Sequence, residues 1–540
     1  MLDFDEGTTL ERSDAGVRTF EEYLAEVPEV TDFTSYVGVA SPIDFNGLVR
    51  HYYLRRGGNV AEIRINLAPR KSRRQQSHAI GLQVRDDLTA IAAAHGALLK
   101  IVETPPGPPV LSTVVAEVYG RADHTYDRLI AAAKAVRGRI ASEPGVVDVD
   151  DSVETDWRKR VFVVDKEKAA LHGVTVRVIA DAVTIGLAGE SVGAVSAPQE
   201  RNPPRIELRL PKAIRSSTDD LSRLHVKGVG SDLIPLAELG WWETKVVDKS
   251  IYHKNLRRVV YVFAETAGRA PAEAVVDIQS DQELPIPVEG KETSGNGQLT
   301  MGNRQSAIPL VAPRPLPERT FLSSGGGIPW SVPEGIRVDF AGEGEWKITL
   351  DVFRDLGLAF ATALVGIYIL LAAQTGSFVI PIVVMLAIPL TALGIMPGFW
   401  LLNALAGGRV GVYADPIFFT ATGMIGMIAL TGIVTRDSII LVDFIHLSLA
   451  RGRSLFDAIM ESRVVRLRPI LLTTATAMLS AAPIAFDPIF SGLAWALIFG
   501  LFASTLLTLF VIPVTYWLLY AGASRNAAAR IDSHGVDRLD

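Results

Sequence analysis

The sequence predicts an α+β soluble region of ferredoxin-like strand–helix–strand units, followed by an all-α membrane bundle of five helices. Two observations lead to this division. Nearly all of the charged residues lie within residues 1–355, in the proportion of an ordinary globular protein. The rest of the chain contains long runs without charge, and a helix that crosses a bilayer needs about 20 mostly apolar residues.

The uncharged runs define the predicted spans. Asp, Glu, Lys and Arg are absent from residues 356–408, 416–435, 469–486 and 488–524. The first run is long enough for two helices with a turn at residues 374–377. We therefore predict five membrane helices, near residues 354–373, 378–402, 416–450, 469–486 and 490–520.

The arginines predict the orientation in the membrane. The stretch 451–468 contains five arginines and the tail 523–540 contains three, whereas the loops on the other side are short and carry little charge. Basic residues are enriched on the cytoplasmic side of membrane proteins. We therefore expect an inner-membrane protein with this stretch and the C-terminus in the cytoplasm and the large soluble region in the periplasm.

The start of the chain carries neither the basic nor the apolar segment of a signal peptide. Because a periplasmic region must still cross the membrane, we expect a preceding membrane helix in a separate N-terminal half. A natural split half, a truncated gene product and a chain active alone all remain open. Cysteine is absent, which excludes disulfides and thiolate metal sites, and the net charge of -6 suggests no nucleic-acid partner.

Strand–helix–strand patterns occur twice in the soluble region. The spacing of Thr8 and Glu11 predicts a capping box for a helix near residues 9–26. Residues 280–333 are rich in Gly, Pro and Ser and predict a long loop. The two repeated patterns predict α+β layers; their elements are expected at residues 61–68, 73–95 and 97–103, and at residues 113–120, 123–142 and 146–153. Further strands are expected near residues 204–210 and 246–253.

Three charged residues lie within the third predicted span. Arg436, Asp437 and Asp443 would each be costly at membrane depth, so such residues are usually functional. Arg436 and Asp443 are seven residues apart and therefore share one stripe of a helix. Asp437 points roughly 100° away from Arg436. A static buried pair, or a solvated Asp443 near the helix end, would explain the same residues without a functional role.

The membrane part resembles the resistance-nodulation-division (RND) efflux pumps of the hydrophobe/amphiphile type. The matching stretches are Gly432-Ile-Val-Thr-Arg-Asp-Ser-Ile-Ile-Leu-Val-Asp-Phe444 and Arg466-Leu-Arg-Pro-Ile-Leu-Leu-Thr-Thr474. The soluble part agrees at Glu6-Gly-Thr-Thr-Leu-Glu11 and at Val164-Asp-Lys-Glu-Lys-Ala-Ala-Leu-His-Gly-Val174. The resemblance covers essentially the whole chain, which would correspond to the C-terminal half of such a pump.

The resemblance implies a division into subdomains. Residues 1–110 would form one porter subdomain, and residues 111–155 with 256–345 a second. A docking subdomain would occupy 156–255 between them. The membrane domain would span residues 350–522, with the cytoplasmic tail at 523–540.

The resemblance also implies partners and a mechanism. The partners would be the missing N-terminal half, two further copies in a homotrimer, a periplasmic adaptor protein, an outer-membrane channel and membrane lipid. The pump would be a proton antiporter that exports hydrophobic or amphiphilic compounds, as in multidrug resistance. It would perform no bond-making catalysis and would need no cofactor.

The resemblance assigns a proton relay to Arg436, Asp437, Asp443, Arg466 and Thr473. In the family, a lysine pairs with two adjacent acids from the other half, and Arg436 stands in the place of that lysine. Because an arginine does not deprotonate in proteins, Arg436 can neutralise those acids but cannot release a proton. Asp437 stands where an amide is common. Arg466 could equally be a cytoplasmic anchor, and Thr473 could simply bond to its own helix backbone.

Four other functions remain open from the sequence. The chain could be a half-transporter that only scaffolds a partner, or an inactive fragment. It could also be a metal-ion exporter or a protein-export member of the same superfamily. The scattered histidines show no metal-ligand spacing and the few methionines form no ladder in the soluble region, so we expect organic substrates and no metal site. The sequence does not define a substrate-binding site.

Overall fold

The computed structural model describes residues 1–104, 109–196, 198–230, 232–284, 312–320, 322–487 and 489–535. The chain divides into two compact units. One combines Met1–Val153 with Ile251–Asp540, and the other is Glu154–Ser250.

The first sheet lies at the start of the chain. Its elements are β1 (Leu2–Phe4), α1 (Leu10–Ala25), β2 (Val30–Val37), α2 (Phe45–Val49), β3 (Val60–Leu67), α3 (Ser77–His95) and β4 (Ala97–Leu99). The strands pair antiparallel in the order β2-β3-β1-β4. Helix α1 buries Val17, Phe20 and Leu24 against this sheet, because these residues recur every three or four positions on one helix face.

The predicted capping box of α1 is wrong in its details. The residue at the cap position is Thr9, not Thr8, and its side chain makes no cap hydrogen bond. The helix itself lies within one residue of the predicted range at each end. Its position is therefore set by the burial of its apolar face rather than by the cap.

A second sheet begins with β5 (Val114–Tyr119), α4 (Tyr126–Ala141) and β6 (Val146–Asp151). All six residues of β5 are buried, as expected for a central strand that is covered on both faces. After β6, the chain enters the separate unit Glu154–Ser250.

The separate unit contains short strands and helices around its own small core. Its elements are β7 (Arg158–Val164), α5 (Lys166–Leu171), α6 (Val176–Leu187), β8 (Glu190–Ala194), β9 (Arg205–Leu208), α7 (Lys212–Arg215), α8 (Thr218–Ser222), β10 (His225–Lys227), β11 (Leu233–Pro235), α9 (Leu236–Leu239) and β12 (Gly240–Val246). Strand β12 pairs with β7, so the two ends of the unit lie side by side. The core includes Ile179, Leu236 and Leu239.

The chain then returns to the second sheet through β13 (His253–Lys254), β14 (Arg257–Thr266), α10 (Pro271–Ser280) and β15 (Arg337–Asp339). Strand β14 pairs with both β5 and β6, and β15 pairs with the other edge of β5. The predicted single strand at 246–253 is wrong: β12 ends at Val246 and β13 begins at His253, with an irregular segment between them.

A buried charge cluster attaches the end of the predicted long loop to the second sheet. Glu143 contacts Arg139 at 2.8 Å and Arg269 at 2.5 Å, and also pairs with Arg319. Asp277 pairs with Arg269 and Arg319. Burial alone would raise the pKa of Asp277, but the amide of Gly325 and the two guanidinium groups outweigh it and hold that pKa below its usual value.

Asp281 extends this attachment. Its carboxylate accepts hydrogen bonds from the backbone amides of Gly326, Gly327 and Ile328, and also from the Arg139 side chain at 2.6 Å. Residues 312–320 and 322–333 therefore form part of the loop that was predicted, and these ion pairs and hydrogen bonds hold them against α4 and α10. The part of that prediction that concerns residues 285–311 lies outside the described residues.

Ion pairs connect the two sheets. Arg50 contacts Glu265 at 2.7 Å, Arg85 contacts Asp148 at 2.5 Å, and Lys100 contacts Asp150 at 2.5 Å. Most of these side chains are buried or nearly so. Burial raises the pKa of Asp148, and Arg85 offsets this only in part.

The membrane part begins with α11 (Glu345–Thr375), α12 (Ile380–Met385) and α13 (Ala387–Ala406). A hairpin of β16 (Gly408–Val410) and β17 (Tyr413–Asp415) follows. The chain then forms α14 (Ala421–Ala450), α15 (Leu455–Ala481) and α16 (Ser491–Gly535). Helices α12 and α13 together form one span, so the described residues contain five helices long and apolar enough to cross a membrane, as predicted.

The predicted basic loop at 451–468 is wrong. Helix α15 begins at Leu455, where Ser454 caps it by accepting a hydrogen bond from the Asp457 amide at 3.2 Å. Arg463, Arg466 and Arg468 therefore lie on the helix, while the connection itself is only four residues long. The prediction counted only apolar residues, whereas a membrane helix can extend past the apolar region with polar first turns.

Candidate functional site in the membrane helices

Helix α14 leaves one stripe of its surface uncovered by the rest of the chain. Its opposite face packs against α13, α15 and α16. The exposed positions recur every three or four residues, apart from one gap of seven, so they lie along one side of the helix. They are Ile425, Ala429, Gly432, Arg436, Asp443, Leu447 and Ala450. We call these residues the open stripe of α14.

The open stripe carries two opposite charges at membrane depth. The Arg436 side chain is 54% exposed, and Asp443 lies two turns further on. Gly432, one turn before Arg436, has no atom within 4 Å of the position that a Cβ would occupy, so the space beside the arginine is open. Charged side chains are rarely exposed to lipid because the cost is several kcal/mol, so this stripe requires protein or water against it.

Asp437 lies in different surroundings from its neighbour. Its side chain is only 9% exposed, and it faces a small cavity between α14, α15 and α16. The Nε atom of Arg436 lies 3.4 Å from Asp437 Oδ1. The structure therefore separates Asp437 from the open stripe that holds Arg436 and Asp443.

Arg466 lies against the same region of α14. Its guanidinium group is 5.0 Å from the centre of the Phe444 ring, and Phe444 follows Asp443 directly. Its Nε atom is buried and has no hydrogen-bond partner among the described residues. A cation over an aromatic face is stabilised by the ring. Arg466 therefore contacts α14 at the residue that follows Asp443.

Thr473 is exposed on α15 and donates a hydrogen bond to its own helix, to the Ile470 carbonyl at 2.9 Å. It lies seven residues after Arg466, and Ser480 lies a further seven on, so the three share one side of α15. Thr474 instead points inward, and its hydroxyl lies 3.0 Å from that of Thr505 on α16.

The sequence analysis did not single out the hydroxyl residues of α16. Ser504, Thr505 and Thr508 line the cavity that Asp437 faces. Ser504 and Thr508 are four residues apart and therefore lie on one face of α16, which is the sequence pattern that could have indicated a polar site there. No group of three or more His, Cys, Asp or Glu that could hold a metal ion occurs in the described ranges.

Five membrane helices with a charged open stripe, joined to two paired α+β sheets, define a polytopic membrane transport protein. The model of the AcrB/AcrD/AcrF family matches residues 1–308 and 329–520. The chain therefore belongs to this family of RND permeases, which confirms the resemblance seen in the sequence.

Individual relatives are distant and longer. The chain is 25% identical over 425 residues to the cobalt-zinc-cadmium resistance protein CzcA of Cupriavidus metallidurans, covering 76% of this chain and 34% of the relative. It is 24% identical to the swarming motility protein SwrC of Bacillus subtilis, covering 74% and 33%. It is 22% identical to the multidrug resistance protein MdtC of Proteus mirabilis, covering 71% and 32%. The chain spans about a third of the length of these relatives.

A solved structure shares the fold. The crystal structure of a heavy metal efflux pump matches 96% of this chain and 47% of its own chain, with a TM-score of 0.69 and 17% sequence identity.

Proposed function

We propose that this chain is the C-terminal half of a proton-coupled efflux permease that works with a complementary half. The open stripe of α14 carries this proposal. Arg436 and Asp443 cannot both face lipid without a large cost, so a second protein surface is needed to cover them. The family resemblance supplies such a surface, since its relay pairs this position with two adjacent acids from the other half.

The proton would be carried by carboxylates rather than by Arg436. Arginine stays charged at any physiological pH and binds carboxylates through two parallel hydrogen bonds. While the acids of the complementary half are ionised, they hold Arg436. When they take up protons, they release it, and the helices repack. Asp443 is a carboxyl group on the same stripe, and Arg466 lies against the ring of the next residue, Phe444.

The soluble sheets support the porter assignment. Each has the order of a ferredoxin-like unit: β2-β3-β1-β4 in the first and β6-β14-β5-β15 in the second. We assign the first to residues 1–110 and the second to 111–155 with 256–345. The compact unit Glu154–Ser250 supports a docking subdomain at 156–255. A protein-export member of the superfamily is expected to lack this insertion.

The remaining parts of the proposal concern placement and assembly. The soluble region would lie in the periplasm and the C-terminus in the cytoplasm, as the arginine distribution predicts. The working pump would be a trimer that binds a periplasmic adaptor protein and an outer-membrane channel. It would move its substrate without making or breaking bonds.

Hydrophobic or amphiphilic compounds are the proposed substrates, with metal cations as a second candidate. The second candidate is favoured by the names of relatives such as CzcA and by the heavy metal efflux pump that shares the fold. MdtC, a multidrug resistance protein, supports the first. The two classes are separated by deleting the gene from its own organism and measuring both dye accumulation and tolerance of cobalt, zinc and cadmium. Loss of dye export alone on deletion supports organic substrates, and loss of metal tolerance alone overturns that proposal.

The need for a complementary half can be tested at Gly432. The chain has no cysteine, so Gly432→Cys introduces a single thiol in the open space beside Arg436. In native membranes, a short bifunctional thiol–amine reagent is expected to cross-link this position to the complementary half, with the joined peptides identified by mass spectrometry. The same membranes without the reagent are the control. A joined peptide that forms equally with and without the reagent, or no joined peptide at all, contradicts the proposed pairing.

A further inference from the structure

The cavity beside Asp437 has the composition of a small ion site. Its volume is about 10 Å³, close to the space that one water-sized particle needs. It is enclosed by three helices: α14, α15 and α16. The lining residues are Val434, Asp437, Leu441, Ile470, Ser504, Thr505, Thr508 and Leu509. Four of these residues are apolar, and the other four supply one carboxyl group and three hydroxyl groups.

The hydroxyl groups are buried and only partly used. Thr508 is 6% exposed, and its hydroxyl has no hydrogen-bond partner among the described residues. The Ser504 hydroxyl reaches the Leu501 carbonyl only at 3.5 Å, the limit of a hydrogen bond. The Thr505 hydroxyl pairs with Thr474 at 3.0 Å and keeps a lone pair. An unpaired buried hydroxyl is costly, so Thr508 indicates that a polar guest belongs in this cavity.

The carboxylate of Asp437 lacks a close positive partner. Its contact with Arg436 is a single one of 3.4 Å, longer than the roughly 2.7–2.9 Å of a strong charge-assisted bond. Arg436 itself belongs to the exposed open stripe. On the neighbouring helix α15, Arg466 lies over Phe444 and Arg463 lies over Phe510. Helices α12, α13 and α16 carry no charged residue over 380–406 and 491–521.

We propose that this cavity binds one sodium ion, held by the carboxylate of Asp437 and the hydroxyl oxygens of Ser504, Thr505 and Thr508. Small hard cations prefer oxygen ligands, and one carboxylate balances one monovalent charge. In transporters, sodium sites lie near the middle of the membrane between packed helices. A proton on Asp437 removes the negative charge, so protons and sodium compete for the site. All ligands come from this chain, so binding needs neither the complementary half nor a substrate.

The test is equilibrium binding of radioactive sodium to the full chain in lipid nanodiscs. One saturable sodium ion per chain is expected, with affinity that falls as the pH is lowered into the range where Asp437 binds a proton. Asp437→Asn is expected to weaken binding at least roughly tenfold, because it removes the one negative charge among the residues that line the cavity. Thr508→Val keeps the shape but removes one ligand, and is expected to weaken binding roughly fivefold.

The matched control is Thr362→Val on α11. The Thr362 hydroxyl is exposed and bonds only to its own helix at the Leu358 carbonyl, 2.9 Å away, so sodium affinity should not change. Absence of saturable sodium binding by the unaltered chain overturns the proposal. The proposal is also overturned if Asp437→Asn and Thr508→Val both remain monodisperse and bind sodium with the affinity of the unaltered chain. Either result would leave the efflux proposal standing, since that proposal is tested by export and cross-linking.

Discussion

Tyr413 donates a hydrogen bond of 2.9 Å to Asp86 and so joins the β16–β17 hairpin to helix α3 of the first sheet. The hairpin leads directly into α14, which carries Arg436. Asp86 follows Arg85, whose ion pair with Asp148 connects the two sheets. The hairpin also approaches the second sheet, since a Cβ on Gly268 would lie 2.7 Å from the Ala414 carbonyl oxygen. Through these contacts, the hairpin connects α14 to the interface of the two sheets.

We expect Tyr413→Phe to lower export while leaving the fold intact. The phenylalanine keeps the ring and removes only the hydroxyl that reaches Asp86. The bond is exposed, so its loss should change stability by less than about 1 kcal/mol. A fall in export of at least roughly threefold, at an unchanged membrane level of the protein, would show that the hairpin transmits motion. The measurement is the initial rate of dye efflux from energised cells.

The matched control for this prediction is Tyr368→Phe. The Tyr368 hydroxyl is also exposed and bonds to the Phe378 carbonyl at 3.1 Å, within the membrane part alone. Export should stay unchanged in this variant. Equal efflux rates for Tyr413→Phe and the unaltered chain would show that the hairpin contact is structural only.

We expect Glu143→Gln to weaken the second sheet strongly. Glu143 is fully buried and pairs with Arg139, Arg269 and Arg319, so the neutral variant leaves these three guanidinium groups with only Asp277 and Asp281 to balance them. Breaking a buried ion network by removing one partner costs about 3–5 kcal/mol. Hydrogen exchange followed by mass spectrometry should show faster exchange in peptides of α4 and α10, since local opening sets the exchange rate.

An exposed pair in the same sheet gives the comparison. Arg337 pairs with Asp339, and the Arg337 side chain is 68% exposed. Surface pairs contribute at most about 1 kcal/mol, so Arg337→Gln should leave the exchange rates nearly unchanged. If Glu143→Gln behaves like Arg337→Gln, the buried cluster does not hold residues 312–320 and 322–333 in place.

We expect the stability of the first sheet to fall slightly as the pH rises past neutrality. The hydrogen bond that the His78 imidazole donates to the Glu103 carboxylate raises the pKa of His78 above its usual value of 6.5, and burial opposes this only in part. A group whose pKa is higher in the folded state than in the unfolded state adds to the free energy of unfolding. This contribution is complete at pH values below the pKa of the unfolded state and is lost as the pH rises through the pKa of the folded state. The effect should stay below about 1 kcal/mol, because both side chains are partly exposed.

The variant His78→Gln isolates this contribution. The difference in thermal midpoint between His78→Gln and the unaltered chain should be largest near pH 5 and should vanish near pH 9. A difference that is constant across this range, or that grows with pH, would contradict the ion pair between His78 and Glu103.

The sequence predicted the membrane helices and the shared helix side of Arg436 and Asp443, because each depends on local information. Charge-free runs identify spans, and a spacing of seven puts Arg436 and Asp443 on one side of a helix. The helices predicted near residues 73–95 and 123–142 correspond to α3 and α4, since helical periodicity is read within a short window.

Other features depend on residues far apart in the chain. The cavity beside Asp437 is completed by Ser504, Thr505 and Thr508, and no local pattern indicates which helix packs against α14. The charge cluster around Glu143 likewise gathers residues from α4, α10 and the segment after residue 312. The first turns of α15 were assigned to a loop because arginines were counted as evidence against a membrane helix.

Our proposal requires a positive charge at position 436 on the open stripe of α14 for proton-driven export. The decisive experiment measures the rate of dye efflux driven by a proton gradient in cells that carry Arg436→Lys or Arg436→Gln at equal membrane levels. We expect the lysine variant to keep a substantial part of the rate, because the charge remains, and the rate of the glutamine variant to fall at least roughly a hundredfold. Efflux by Arg436→Gln at the rate of the unaltered chain would show that the charge is not needed.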